Sequence, residues 1–97
     1  MAKTKLKTTP YDSAAHLKSE RDIAAYLDAA LEDGEPALIR HALNVIARAR
    51  GMTQIARDSG VTRESLYRAL GENGNPEFTT VLKVVHALGL RLRTRPA

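Results

Sequence analysis

The sequence predicts an all-α domain of about five helices, with a short extended segment at each end. Of its 97 residues, 43% are hydrophobic but only 4% are aromatic. The core therefore has to be built from Leu, Ile, Val and Ala, which favours packing between helices over a β-sandwich. Apolar residues also recur at helical spacing in separate stretches bounded by Gly or Pro. The length suffices for one domain with a modest core.

Glycine and proline residues mark where the first two helices begin and end. The first helix is expected to start after Ser19, which can cap it, and to end at Gly34. The second begins at Pro36 and ends at Gly51. The residues predicted to face the core are Ile23, Tyr26, Leu27, Ala30 and Leu31 in the first helix, and Leu38, Ile39, Ala42, Leu43 and Ile46 in the second.

Residues 52–70 have the pattern of two short helices joined by a tight turn. Ile55 and Ala56 can pack inward from the first helix, and Ala56 is small enough to let the second helix approach closely. Gly60 follows where the helix must end in a residue that tolerates positive φ. Thr62 can cap the next helix through its hydroxyl oxygen.

The second of these helices is expected to be held on one face by Leu66 and Leu70, four residues apart. Its exposed face then carries Arg63, Glu64, Tyr67 and Arg68. This spacing is typical of a DNA-binding helix-turn-helix, in which the second helix reads the bases. The alternative is an ordinary corner between two helices of a small bundle.

The last helix is predicted to follow a turn at residues 73–76. Asn75 is a candidate cap, and Pro76 fits the first helical position. Gly89 ends the helix. The residues expected to line its core face are Phe78, Val81, Leu82, Val85 and Leu88.

The two termini have the alternation of short strands. Residues 90–95 alternate leucine or threonine with arginine, and residues 1–11 are expected to be extended, with Pro10 blocking a helix at Thr9. A lone strand leaves its backbone unpaired, so the partner of residues 90–95 is either residues 3–8 or the same strand of a second chain. The predicted domain boundaries are 1–11 for the extended segment and 12–97 for the helix-turn-helix domain, with one helical turn from residue 12 to 17.

The net charge of +4 is unevenly distributed. Residues 1–10 carry three lysines and no acid, residues 11–35 carry seven acids against two bases, and residues 36–97 carry ten bases against four acids. A chain divided in this way offers a basic surface to a polyanion and an acidic surface to a second, basic partner. The simpler interpretation is that the acids decorate a solvated helix face.

Several blocks of the chain resemble a known family. Among them are Ala-Arg-Ala-Arg-Gly-Met-Thr-Gln at 47–54 and Gly-Val-Thr-Arg-Glu-Ser-Leu-Tyr at 60–67, with shorter matches at residues 10–12, 25–27, 29–34, 75–76, 80–84 and 88–90. The chain resembles the bacterial addiction-module antidote proteins, the HigA-like antitoxins with an Xre/Cro-type helix-turn-helix. The resemblance covers nearly the whole chain. It implies a λ-repressor-like fold, a type II toxin–antitoxin operon, a RelE/ParE-type toxin partner and repression of the operon's own promoter.

One departure from the wider Xre/Cro pattern affects the expected phosphate contacts. Those proteins often have a glutamine at the position held here by Met52, so Thr53 or Gln54 must supply any substitute. The loop of residues 73–75, with Asn73 and Asn75, is expected to lie along the DNA backbone near the start of the last helix. Capping alone would explain Asn75 equally well. The DNA-contacting set is thus predicted to be Thr53, Gln54, Thr62, Arg63, Glu64, Tyr67, Arg68, Asn73 and Asn75.

A toxin that acts on ribosome-bound RNA, as the resemblance implies, should have a basic face. Electrostatic matching then favours an acidic surface on its antitoxin. The acid-rich region lies outside the motif, and the residues expected to border the toxin are Glu20, Asp28, Glu32, Asp33 and Glu35.

Catalytic and metal chemistry find little support in the sequence. There is no cysteine, and His16, His41 and His86 lie on different segments with no ligand partners at suitable spacing. The run Gly-Glu-Asn-Gly at 71–74 lacks the lysine and the preceding strand of a phosphate loop. We therefore expect no enzyme, no metal and no cofactor. With no apolar run of membrane-spanning length and no apolar stretch behind the basic start, we expect a soluble, cytoplasmic protein without a secretory signal.

The leading interpretation is a homodimeric antitoxin that binds double-stranded operator DNA and neutralises a small basic toxin. Two alternatives remain. One is a stand-alone Cro-like transcriptional regulator without a toxin, and the other is a protein-interaction module whose helix-turn-helix does not bind DNA.

Overall fold

The computed structural model describes residues 17–97, and their architecture is helical throughout. The elements are α1 (Glu20–Asp33), α2 (Pro36–Arg50), α3 (Met52–Ser59), α4 (Arg63–Leu70) and α5 (Phe78–Ala87). Residues 17–97 contain no β-strand. The prediction of an all-α domain with five helices is confirmed for this range, while the extended segment of residues 1–11 and the turn from residue 12 fall outside it.

The first helix boundaries follow the predicted caps. The Ser19 hydroxyl oxygen accepts a hydrogen bond from the backbone N–H of Asp22 at 3.1 Å, so it satisfies one of the free amides at the start of α1. Gly34, with φ of 85°, ends the helix and donates its N–H to the Ala30 carbonyl. Pro36 then opens α2 at its first turn.

The core is formed around α2, which packs against α1, α3 and α4, while α5 packs against α3. One cluster of buried apolar side chains connects all five helices, and no polar or charged side chain of residues 17–97 is buried with it. Its largest fully buried members are Ile23, Leu43, Ile46, Ile55, Leu66, Leu70, Val84, Val85 and Leu88. Hydrophobic burial without internal polar networks therefore holds the domain together.

The start of α5 differs from the prediction. The helix begins at Phe78 rather than Pro76, and its cap position is Glu77, which makes no side-chain cap hydrogen bond. Asn75 is consequently too far upstream to cap the helix. Phe78, predicted to face the core, is 69% exposed, because the apolar stripe that packs begins only one turn later and includes the fully buried Val84.

The predicted strand at residues 90–95 is also absent. The Leu90 N–H donates to the Val85 carbonyl at 3.1 Å, which closes the end of α5. Beyond it, no backbone hydrogen bond joins residues 91–97 to the rest of the described chain. A strand forms only against a partner strand, and one of the two expected partners, residues 3–8, lies outside the described range. In the described part of the chain, no helix combines the length and the apolar character needed to cross a bilayer.

Candidate nucleic-acid interface

The turn between α3 and α4 has the geometry that the sequence predicts. Gly60 adopts φ of 78°, and its N–H donates to the Ala56 carbonyl at 3.0 Å. The Ser59 hydroxyl oxygen accepts from the Val61 N–H at 3.1 Å, which fixes the chain as it leaves α3. Ile55 is fully buried beneath the turn. The two helices are thereby held in one arrangement by a positive-φ glycine and a side-chain hydrogen bond.

The start of α4 is capped by Thr62. Its hydroxyl oxygen accepts from the Ser65 N–H at 3.1 Å, and its hydroxyl proton can be donated to the Ser65 hydroxyl at 2.9 Å. The predicted cap is therefore confirmed. Because these two bonds occupy the hydroxyl group locally, the first-turn amides of Arg63 and Glu64 are the donors that this helix end offers to an anion.

The outward face of α4 carries all four side chains that were predicted to be exposed. Leu66 and Leu70 are buried on the opposite side and fix the rotation of the helix about its axis. The exposed side chains are Arg63, Glu64, Tyr67 and Arg68. A face with two guanidinium groups, a phenol and a carboxylate contains both donors and acceptors for base edges.

Arg63 and Tyr67 contact each other on this face. The guanidinium carbon of Arg63 lies 5.7 Å from the centre of the Tyr67 ring, and one guanidinium nitrogen donates to the phenol oxygen at 3.4 Å. Glu64 and Arg68, which are also four residues apart, form no ion pair in the described chain. The arginine nearer the helix start is thus partly ordered by the tyrosine, whereas Arg68 makes no such contact with another residue of the range 17–97.

The start of α3 presents Thr53 and Gln54, while Met52 is buried. The Gln54 side-chain amide donates to both carboxylate oxygens of Asp58, at 3.0 and 2.9 Å, and its carbonyl oxygen accepts from Arg57 at 3.5 Å. Asp58 and Arg57 were not among the predicted site residues. Asp58 is four residues and Arg57 three residues from Gln54, and side chains at these spacings meet on a helix surface, so the sequence could have predicted both contacts.

The loop after α4 lies beside the same face. Arg68, Asn73, Asn75 and Thr80 line one concave surface of about 470 Å³ between α4, the loop and the start of α5. The loop is held close to α4, since a β-carbon at Gly74 would overlap the Ala69 carbonyl oxygen. The structure thus brings both predicted asparagines next to Arg68.

The acidic residues predicted for the toxin lie on different elements. Glu20, Asp28, Glu32 and Asp33 are exposed on α1, and Glu35 is exposed at the cap position of α2. Asp28 forms an ion pair with Arg95 at 3.6 Å, a contact that the sequence did not predict. Within residues 17–97, α1 packs mainly on α2 and makes no extensive contact with α4.

Two of the three histidines are within the described range. His41 is half-buried in α2 and His86 is exposed in α5. Among residues 17–97, no three His, Cys, Asp or Glu side chains come close enough together to hold a metal ion.

These features define a class of small all-α proteins that present one short, arginine-bearing helix at the surface. More specifically, the chain belongs to a family of addiction-module antidote proteins, because the family model described as "Probable addiction module antidote protein" matches residues 7–96. An "Uncharacterized protein" of Haemophilus influenzae is 51% identical over 85 residues, which cover 88% of each chain. No solved structure matches the chain. An addiction-module antidote acts on a cognate toxin, so family membership implies a toxin partner.

Proposed function

We propose that this chain is a HigA-like antitoxin that binds operator DNA through an Xre/Cro-type helix-turn-helix formed by α3 and α4. It acts as a homodimer, represses its own operon and neutralises a RelE/ParE-type toxin. It has no catalytic role and requires no cofactor. The observation that carries the proposal is the exposed face of α4, where two arginines lie opposite the buried leucines that orient the helix.

In this proposal, α4 enters the major groove of double-stranded DNA. Arg63 and Arg68 bind guanine edges through paired hydrogen bonds, and Tyr67 and Glu64 contact neighbouring bases. Phosphate contacts come from Thr53 and from the first-turn amides of α4 after Thr62, together with Gln54, Asn73 and Asn75. The excess of bases over acids in residues 36–97 supplies the long-range attraction to a polyanion.

Dimer formation is proposed because α4 is short. A helix of eight residues spans about 12 Å and contacts only a few base pairs. Two copies that bind related half-sites one helical turn apart read enough sequence for specific affinity.

Neutralisation of the toxin is assigned to a different surface. The acids Glu20, Asp28, Glu32, Asp33 and Glu35 are exposed on α1 and at the start of α2. A toxin that binds RNA has a basic face, which such a surface attracts and orients during encounter. DNA and toxin can then be bound by the same chain.

The proposal is tested with DNA from upstream of the gene and with the product of the adjacent reading frame. We expect the full-length chain to retard the upstream fragment at lower concentration than an unrelated fragment of equal length, with affinity falling as salt rises. Co-expression of this chain should restore the growth of cells that the adjacent product, as a toxin, inhibits. Specific DNA binding without a toxin would favour the stand-alone regulator, and toxin binding without DNA binding would favour the protein-interaction module.

A further inference from the structure

A shallow groove runs between α1 and the segment that follows α5. About 360 Å³ between the two is unfilled, and the walls combine apolar side chains of both segments with Asp28, Arg91 and Arg93. Leu31 of α1 and Leu92 of the C-terminal segment border this groove and are 41% and 40% exposed. Residues 91–97, here called the C-terminal strap, therefore lie along α1 without close packing.

Among residues 17–97, few interactions hold the strap in place. Leu90 is fixed by its hydrogen bond to Val85, but within residues 17–97 the backbone of the strap bonds to no other backbone group. One ion pair connects the strap to α1, between Arg95 and Asp28, and the two side chains are 76% and 64% exposed. Exposed pairs of this kind contribute little to stability. The strap can consequently leave the groove while Leu90 and the core stay in place.

The strap also shows which chemistry the groove accepts. From Leu90 to Arg95 it alternates apolar or neutral side chains with arginine, and the strap contains no acid. On α1, Asp28 lines the groove and Glu32 follows one turn later. The groove thus fits an extended segment whose alternate side chains are apolar and cationic. Pairing of two straps edge to edge would place arginines opposite one another, which disfavours a second copy as the occupant.

We propose that the face of α1 bordering this groove binds an extended cationic segment of the toxin, which takes the place of the strap, the opposite wall of the groove, when it displaces it. This inference rests on the proposed function, since it identifies the cationic partner with the toxin. The apparent affinity for the toxin is then the intrinsic affinity multiplied by the fraction of chains in which the strap has left α1.

The first test needs no toxin. A full-length variant with Leu92→Ser and Arg95→Gln releases the strap, and the probe is a synthetic peptide with the sequence of residues 90–97. In NMR titrations at millimolar peptide, we expect the amide signals of Ala24, Asp28 and Leu31 to shift in the release variant and much less in the natural chain. A peptide with glutamate in place of its three arginines should leave those signals unchanged. If the natural-sequence peptide moves no α1 signal in the release variant, the groove does not accept such a segment and the proposal is overturned.

The second test uses the toxin and distinguishes the strap from the wider proposed function. The release variant should bind the toxin about two- to tenfold more tightly than the natural chain, whereas Arg48→Gln, an equal charge change on α2, should not. Equal or weaker toxin binding by the release variant would overturn the proposal. The proposal would also be overturned if the only change in the release variant were a molecular mass that falls from dimer to monomer. If the natural chain binds no toxin, the proposed function fails, while the peptide titration still decides what the groove binds.

Discussion

Two arginines on α4 are the residues on which the proposed DNA contact depends most. A guanidinium group that donates two parallel hydrogen bonds to guanine discriminates against the other bases by about 1–3 kcal/mol. Arg63 contacts the Tyr67 ring. The side chains of Arg63 and Arg68 are both exposed, so neither arginine has a role in the core. Their removal can therefore be studied without loss of the fold.

Changing both Arg63 and Arg68 to alanine should weaken operator binding by at least about tenfold, because each loss removes a paired hydrogen bond. Gel-shift titration measures the affinity, and circular dichroism should show unchanged helicity. A control variant, Arg21→Ala with Arg91→Ala, removes the same charge from other elements. Equal affinity of the α4 variant and the control would contradict the assignment of α4 as the reading helix.

Asp58 is predicted to oppose DNA binding. Its carboxylate holds the Gln54 amide at 2.9 and 3.0 Å and places a negative charge on the exposed side of α3. Asp58→Asn should therefore raise DNA affinity about two- to fivefold at low salt. Asp33→Asn makes the same charge change on α1, and an equal gain from that variant would show that only net charge matters.

Gly74 is predicted to be required for the stability of the loop beside α4. A β-carbon at this position would overlap the Ala69 carbonyl oxygen, so Gly74→Ala forces the backbone to move. We expect the free energy of unfolding to fall by about 1–3 kcal/mol, measured by urea denaturation. Glu72→Ala, an exposed change in the same loop, should alter it by less than about 0.5 kcal/mol.

At the scale of elements, the sequence predicts those helix ends that depend on local interactions, such as capping hydrogen bonds and a glycine with positive φ. Ser19 and Thr62 cap α1 and α4 as expected, and Gly60 has the positive φ that the turn needs. Phe78 was misplaced because its helical spacing with Val81 and Val85 predicted a core position, and spacing alone does not show at which turn packing begins. The strap could not be predicted, since its contact with Asp28 depends on tertiary packing between distant segments. The same holds for the concave surface that brings Asn73 to Arg68.

The acidic helix provides the test of the toxin surface. Reversing Asp28, Glu32 and Asp33 to lysine should slow toxin association at low salt and leave DNA affinity undiminished, since complementary charge acts mainly on the association rate. Stopped-flow mixing with the toxin measures the rate. If the rate and neutralisation were both unchanged, α1 would be a solvated face only.

At the scale of the whole molecule, the helices that carry the two proposed surfaces differ in how many other helices they pack against. Helix α3 packs against three other helices and α4 against two, whereas α1 packs mainly on α2. The surface assigned to the toxin is thus carried by the more peripheral helix. The surface assigned to DNA lies on the more connected part of the fold.

The packing of α1 mainly on one helix has a consequence for degradation. A short link at Gly34 and Glu35 joins α1 to α2, and we expect α1 to open locally more readily than helices that pack against several others. We expect amide hydrogens of α1 to exchange faster than those of α2, as measured by hydrogen exchange with mass spectrometry. Under the proposed function, a protease that cuts the opened helix would destroy the surface assigned to the toxin and leave the helices assigned to DNA. Turnover of the chain would then release the toxin before it releases the promoter.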